Sequence, residues 1–167
     1  VTITGDLSQI YFNNIGDKRR VLGIDFGTTM TGASMLNAFY DCRELVSVTG
    51  ALNNDVTTMQ GCYRSCTDLT EYNIPYPTSL LNLQDTYRST GILDVVNQIP
   101  PLVTTLQRAW RIGSVTTIPT GIFDNLPNLT TMSQMLEGCD LTEASVDNVL
   151  ADCLTNAVNN SVTNITL

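Results

Sequence analysis

The side chains that could do chemistry in this chain of 167 residues are carboxylates and thiols, because histidine is absent. Without imidazole there is no Ser-His-Asp or Cys-His constellation, no His-ligated metal and no His-based pH switch. Five cysteines, Cys42, Cys62, Cys66, Cys139 and Cys153, cannot all pair within one chain. They read as buried, mostly reduced thiols rather than a disulfide framework. Cys62 and Cys66 form C-x-x-x-C, which is neither a zinc knuckle nor the redox C-x-x-C. Among the acids, Asp55, Asp68, Glu71, Asp85 and Asp140 fall in expected turns or on solvent faces, and no two share an apolar cleft. A carbohydrate-active enzyme working through an Asp/Glu pair is therefore the third and weakest reading. Asn53, Asn54 and Asp55 gather oxygen atoms, but the D-x-[DN]-x-[DN]-G calcium loop is missing. These residues predict no catalytic site, no cofactor and no metal.

Charge narrows the partners. The formal net charge is −8, and the eight basic residues are scattered, which excludes a phosphate-tracking groove and hence nucleic acid. No apolar run approaches the roughly 18 residues that cross a bilayer, so no membrane insertion is expected. The chain opens on Val1 without an initiator Met, as a processed protein or a fragment would. Asn128, Asn159 and Asn164 begin N-x-[ST] sequons, expected to be unmodified in a bacterial or viral product.

The elements that must position these groups are set by an internal repeat. Lines beginning at Val21, Leu45, Leu69, Ile92, Val115 and Leu141 are 24, 24, 23, 23 and 26 residues apart. Each opens on an apolar pair: Val21/Ile24, Leu45/Val48, Leu69/Tyr72, Ile92/Val95, Val115/Ile118 and Leu141/Ala144. Later in each line comes a second motif, at i, i+4 and i+7: Met35/Phe39/Cys42, Met59/Tyr63/Cys66, Leu83/Tyr87/Thr90, Leu106/Trp110/Gly113 and Met132/Leu136/Cys139. That spacing predicts one stripe of a short helix, and the opening segments read as short strands. Such a unit cannot cover its own apolar edge and must stack on its neighbours. The expected fold is therefore an α/β, leucine-rich-repeat-like solenoid of about six turns, with one short parallel-strand ladder and opposite short helices. Residues 1–20 would cap it, 21–140 would form the repeats, and 141–167 would close it with a capping helix and strand. Ser145 is the expected N-cap of that helix, with Val149, Leu150, Cys153 and Leu154 inward. In this frame Cys42, Cys66 and Cys139 are corner residues, and a Cys42–Cys66 disulfide lies within bridging range.

The M-x-x-x-[FY]-x-x-C arm followed by L-T resembles the bacterial surface-protein (BspA-like) class of leucine-rich repeats. MQGCYRSCTDLTEY and MSQMLEGCDLTEAS carry the resemblance best, and it weakens where Thr90 and Gly113 replace the cysteine. The tail from Leu141 also resembles the end of such arrays in tailed-phage fibre and virion surface proteins. The resemblance implies a non-enzymatic surface or recognition role. A shorter string, VLGIDFGTT, resembles the first phosphate loop of the actin and sugar-kinase superfamily, which would make Asp25, Gly27, Thr28 and Thr29 nucleotide ligands. That superfamily needs two large lobes, and Val21 and Ile24 fall in phase with the later strand pairs, so the string reads as a strand and its turn.

Arg64, Arg88 and Arg111 each follow the arm aromatic by one residue and form a candidate interaction ladder, free to meet a carboxylate-bearing partner or to pair with acids such as Asp85. The expected function is a virion structural or host-recognition protein: a tail fibre, spike or capsid-surface component displayed on the virion surface. A bacterial cell-surface adhesin is the alternative. Its partners would be other virion or surface proteins in an oligomeric assembly, and a host glycan or receptor.

Overall fold

The computed structural model describes residues 11–12, 16–27, 32 and 34–160. Three strands, β1 (Gly23–Asp25), β2 (Ser47–Thr49) and β3 (Glu71–Tyr72), form one parallel sheet in chain order. Ile24 lies opposite Val48, and Val48 opposite Tyr72. A 3-10 turn at Lys18–Arg20 precedes β1, and α1 (Glu143–Asn160) is the single α-helix among the described residues. Single-residue parallel bridges join Ser34 to Thr58, Thr58 to Asn82, Asn82 to Thr105 and Thr105 to Thr131.

The expected α/β solenoid of leucine-rich-repeat type, with about six turns and a short helix opposite each strand, is overturned. Each segment read as a helix is instead a string of tight turns. In the segment from Met59 to Cys66, Cys62, Arg64 and Cys66 donate their N–H groups three residues back, to Met59, Gly61 and Tyr63. The amides between them, at Met59, Gly61, Tyr63 and Ser65, donate instead to the carbonyls of Asn82, Gln84, Thr86 and Arg88 in the next segment. An α-helix would satisfy all of these internally. The backbone also turns left-handed at every fourth residue: Asn37 and Asp41, Gly61 and Ser65, Asp85 and Ser89, Arg108 and Ile112, Gln134 and Gly138 all have positive φ. That is the φ sign a type II turn needs at its third residue, and a right-handed helix excludes it. The four-residue period of these turns puts i and i+4 in one phase and i+3 and i+7 in the adjacent one, and both face inward, as Met59, Tyr63, Cys62 and Cys66 do, which imitates a helical stripe.

The sheet stops at β3, and Pro75 and Pro77, three and five residues beyond its last residue, withdraw ladder donors from any extension of the strand. The Tyr72 and Tyr76 rings then lie edge-on to Tyr87, at centroid distances of 4.9 and 6.4 Å. Beyond β3 the strand-like pairing of this column returns only as the single bridge of Asp94 with Thr117.

The core runs through the stacked segments. Phe39, Tyr63, Tyr87 and Trp110 form a column of rings with centroids 5.6, 5.7 and 5.8 Å apart and interplanar angles of 5–14°. Phe12 and Phe123 close its ends, at 5.9 and 6.3 Å. Met35, Cys42, Met59, Cys66, Leu83, Leu106 and Met132 are buried beside it, while Leu136 and Cys139 in the last segment are half-buried. Each fully buried large side chain contributes about 1.5–3 kcal/mol, which is what offsets the ordering of so many irregular turns.

α1 also differs from its expected form. Thr142, not Ser145, caps it: Thr142 Oγ1 accepts the Ser145 N–H at 3.3 Å. Leu150 and Leu154, expected inward, are exposed, and the buried face carries Ser145, Val149, Asp152 and Asn156. The reason is the irregular backbone from Ile118 to Leu126, whose amides have no neighbouring segment to meet. Ser145 Oγ accepts the Ile118 N–H (3.0 Å), the Asp152 carboxylate accepts those of Gly121 (2.8 Å) and Phe123 (3.1 Å), and Asn156 Oδ1 accepts that of Leu126 (2.6 Å). The expected closing strand, VTNITL, and most of the expected 1–20 cap lie outside the described residues. Asp152→Ala, which strips two buried amides of their acceptor, is expected to cost about 2–4 kcal/mol. Urea unfolding checks this as a lower midpoint at unchanged slope, with Asp152→Asn intermediate.

Candidate functional site

The single-residue bridges place a column of short polar side chains along one face: Ser34, Thr58, Asn82, Thr105 and Thr131. In each segment, that oxygen folds back to accept the N–H two residues on, from Leu36 (3.3 Å), Gln60 (3.3 Å), Gln84 (2.8 Å), Gln107 (3.2 Å) and Ser133 (3.4 Å). These local bonds set the entry angle of each turn string. They also create a second column of Gln60, Gln84 and Gln107, one rung apart. Asn82 Nδ2 donates to Gln60 Oε1 at 3.3 Å, tying the two columns together. Outside them, Thr104 and Thr130 donate their hydroxyls to the carbonyls of Leu81 (3.0 Å) and Thr104 (2.8 Å). The result is a half-buried face of amides and hydroxyls, without charge, at the roughly 4.8 Å rung spacing of a parallel ladder. Such groups both donate and accept, which suits a hydroxyl-rich, uncharged ligand. The sequence signal for this face is the polar residue before each anchor, in SML, TMQ, NLQ, TLQ and TMS, with a second polar residue after it in the last four, masked by attention to the apolar residue in the middle.

Arg64, Arg88 and Arg111 do share a column: their carbonyls accept the N–H groups of Asp41, Ser65 and Ser89 in turn. Tyr40 stands one rung before them and Glu137 one rung after. The Arg64 guanidinium lies 5.1 Å over the Tyr40 ring, Arg88 is 3.4 Å from Asp85, and Arg111 donates to Glu137 at 2.7 Å. Arg88 and Arg111 thus spend their charges on acids of the protein, while Arg64 lies against a ring.

Asp85 is buried rather than solvent-facing, and two parallel N–H groups of Arg108 clamp it at 3.0 and 2.8 Å. Burial pushes its carboxyl pKa up, but the Arg108 hydrogen bonds and charge, with Arg88 and Arg64 behind them, overcome this and hold it below the ordinary value. A similar group near the other end joins Asp41 to Lys18 and to Arg43, the latter at 2.7 Å. Asp55, Asp68, Glu71 and Asp140 are exposed and apart from these clusters. Among the described residues no three His, Cys, Asp or Glu side chains gather where they could hold a metal ion.

The five cysteines are free. Cys42, Cys62 and Cys66 are buried, and burial pushes the Cys42 thiol up to about 11 and the Cys62 and Cys66 thiols higher, so all three stay protonated at neutral pH. A cavity of about 10 Å³, room for roughly one water, lies among Tyr72, Tyr76, Tyr87, Asp94 and Trp110. In the VLGIDFGTT string, the Asp25 carboxylate accepts the Gly27 N–H at 3.1 Å, and Thr28 and Thr29 lie outside the described residues. A Cβ on Gly50 would fall 2.9 Å from the nitrogens of both Phe26 and Gly27. The next segment therefore fills the space above those amides that a phosphate would need. No helix among the described residues is long and apolar enough to cross a membrane.

No family model matches this chain, and neither do curated proteins or solved structures.

Because the folded Asp85 titrates below its unfolded value, its contribution is complete above a pH of about 4 and fades as pH falls through the lower folded value. Asp85→Asn is expected to lose about 2–3 kcal/mol at neutral pH and to flatten the fall in stability below about pH 4. Thermal melts from acid to neutral pH measure both effects.

Proposed function

We propose that this chain is a non-enzymatic structural and surface-recognition component of a virion, a tail fibre, spike or capsid-surface protein. The observation that carries this reading is the uncharged polar face of Thr58, Asn82, Thr105, Thr131, Gln60, Gln84 and Gln107, built at fixed spacing by backbone pairing. A rigid array of neutral donors and acceptors is suited to a host glycan or to the polar surface of a neighbouring subunit, where little ordering entropy is lost on contact. The pairing of Arg88 with Asp85 and of Arg111 with Glu137 supports the same assignment, since it leaves the neutral face as the better-presented surface. An acidic net charge of −8 favours solubility in a displayed protein.

Quantitative mass spectrometry and immunogold microscopy of purified particles test this. The expected result is a fixed copy number per particle with label on the outside, and loss of host attachment, but not of incorporation, when Gln84 and Gln107 are both changed to Glu. Recovery of the chain in the envelope of uninfected bacterial cells, and not in particles, would overturn the virion reading in favour of the adhesin.

A further inference from the structure

Buried tyrosine hydroxyls gather where the sheet ends. Tyr72 is the last residue of β3, Tyr76 follows it between two prolines, and both rings lie edge-on to Tyr87 of the ring column, at 4.9 and 6.4 Å. A buried Tyr hydroxyl ordinarily finds a hydrogen-bond partner. Tyr72 is 9% and Tyr87 1% exposed, yet neither Oη has a partner among the described residues. The hydroxyls of Tyr72, Tyr76 and Tyr87 are nonetheless close enough to act on one another's titration. All three tyrosines line the cavity of about 10 Å³.

We propose that this cavity is the binding site of one structural water molecule, which joins the hydroxyls of Tyr72 and Tyr87. A cavity of about 10 Å³ admits one water, and a buried water is held by roughly two to four polar groups. Tyr72 and Tyr87 supply two, and Tyr76 stands beside them as a third. The lining selects water over an ion. Burial pushes all three tyrosine hydroxyls above their ordinary pKa, so they are neutral phenols, each able to donate one hydrogen bond and to accept others. Among the described residues no Lys or Arg lines the cavity to hold an anion, and its one carboxylate, Asp94, is exposed, which makes no cation cage. The position in the fold gives the water its role. Beyond β3 the ladder is interrupted until Asp94 pairs with Thr117, and across that interruption the Asn97 amide donates to the Ile74 carbonyl at 2.9 Å. The water makes the corresponding link between side chains, tying the end of β3 to the aromatic column. Tyr63 supplies the contrast: its hydroxyl is as buried and also lacks a partner, but it does not line the cavity. The site is independent of whatever the uncharged face binds.

A high-resolution crystal structure of the full chain, with thermal melts of three variants, tests the site. The expected result is one ordered water about 2.7–3.0 Å from both Tyr72 Oη and Tyr87 Oη. Removing a buried hydroxyl that bonds nothing relieves a desolvation penalty, whereas removing one that holds a water breaks a hydrogen bond. Tyr72→Phe and Tyr87→Phe should therefore each lower the melting temperature by about 2–4 °C, while Tyr63→Phe should leave it unchanged or raise it. A direct hydrogen bond between the two hydroxyls with no water between them would overturn the proposal, as would Tyr72→Phe and Tyr87→Phe variants that melt no lower than the native chain.

Discussion

Along each segment, alternate amides point in two directions, one back into its own turn and the next across to the neighbouring segment. This alternation is the constraint on which the rest of the structure depends. It links Met35–Asp41 to Thr58–Arg64, Met59–Ser65 to Asn82–Arg88, Leu83–Ser89 to Thr105–Arg111, and Leu106–Ile112 to Thr131–Glu137. The turn bonds fix each segment's shape, and the cross bonds fix its register to the next. Register then places ring over ring from Phe39 to Trp110. Neither part suffices alone: short turns are unstable in water, and the aromatic column needs the backbone to hold its spacing.

The ends of the stack show what the alternation demands. At one end, the Phe12 N–H reaches the Ala38 carbonyl at 2.8 Å and its ring packs on Phe39. At the other, the amides of Met132, Gln134, Leu136 and Gly138 have no acceptor among the described residues, while α1 satisfies the backbone beside them with polar side chains. α1 is thus shaped by hydrogen-bond needs more than by apolar burial, and its hydrophobic residues are left on the surface. The uncharged columns arise from the same pairing, because each bridge sets one Ser, Thr or Asn above the next. Surface and core are consequences of one backbone pattern.

Much of this was legible in the residues. The recurrence of Met35, Met59, Leu83, Leu106 and Met132, and of an aromatic residue four positions after the first four of them, marks the segments and their inward side. The conformation was not legible from that spacing, because a turn string with a four-residue period, whose two adjacent inward phases hold i, i+4 and i+3, i+7, and a helix with 3.6 residues per turn both bury these positions. The distinguishing residues were Asn37, Asp41, Gly61 and Gly138, types that accept positive φ, but Arg108 and Ile112 at equivalent positions hide the pattern. The inward face of α1 was misread for a related reason: an apolar row predicts burial only where the opposing surface is apolar, and Ile118–Leu126 presents bare amides. The uncharged face was missed because its residues flank the anchors and vary in type.

The alternation itself is open to direct measurement. Through-hydrogen-bond NMR couplings report which carbonyl each amide nitrogen is bonded to. The expected result is coupling of the Tyr63 nitrogen to the Thr86 carbonyl and of the Tyr87 nitrogen to that of Ala109, each across to the neighbouring segment. Coupling of Tyr63 to Met59 and of Tyr87 to Leu83, four residues back as in an α-helix, would contradict it.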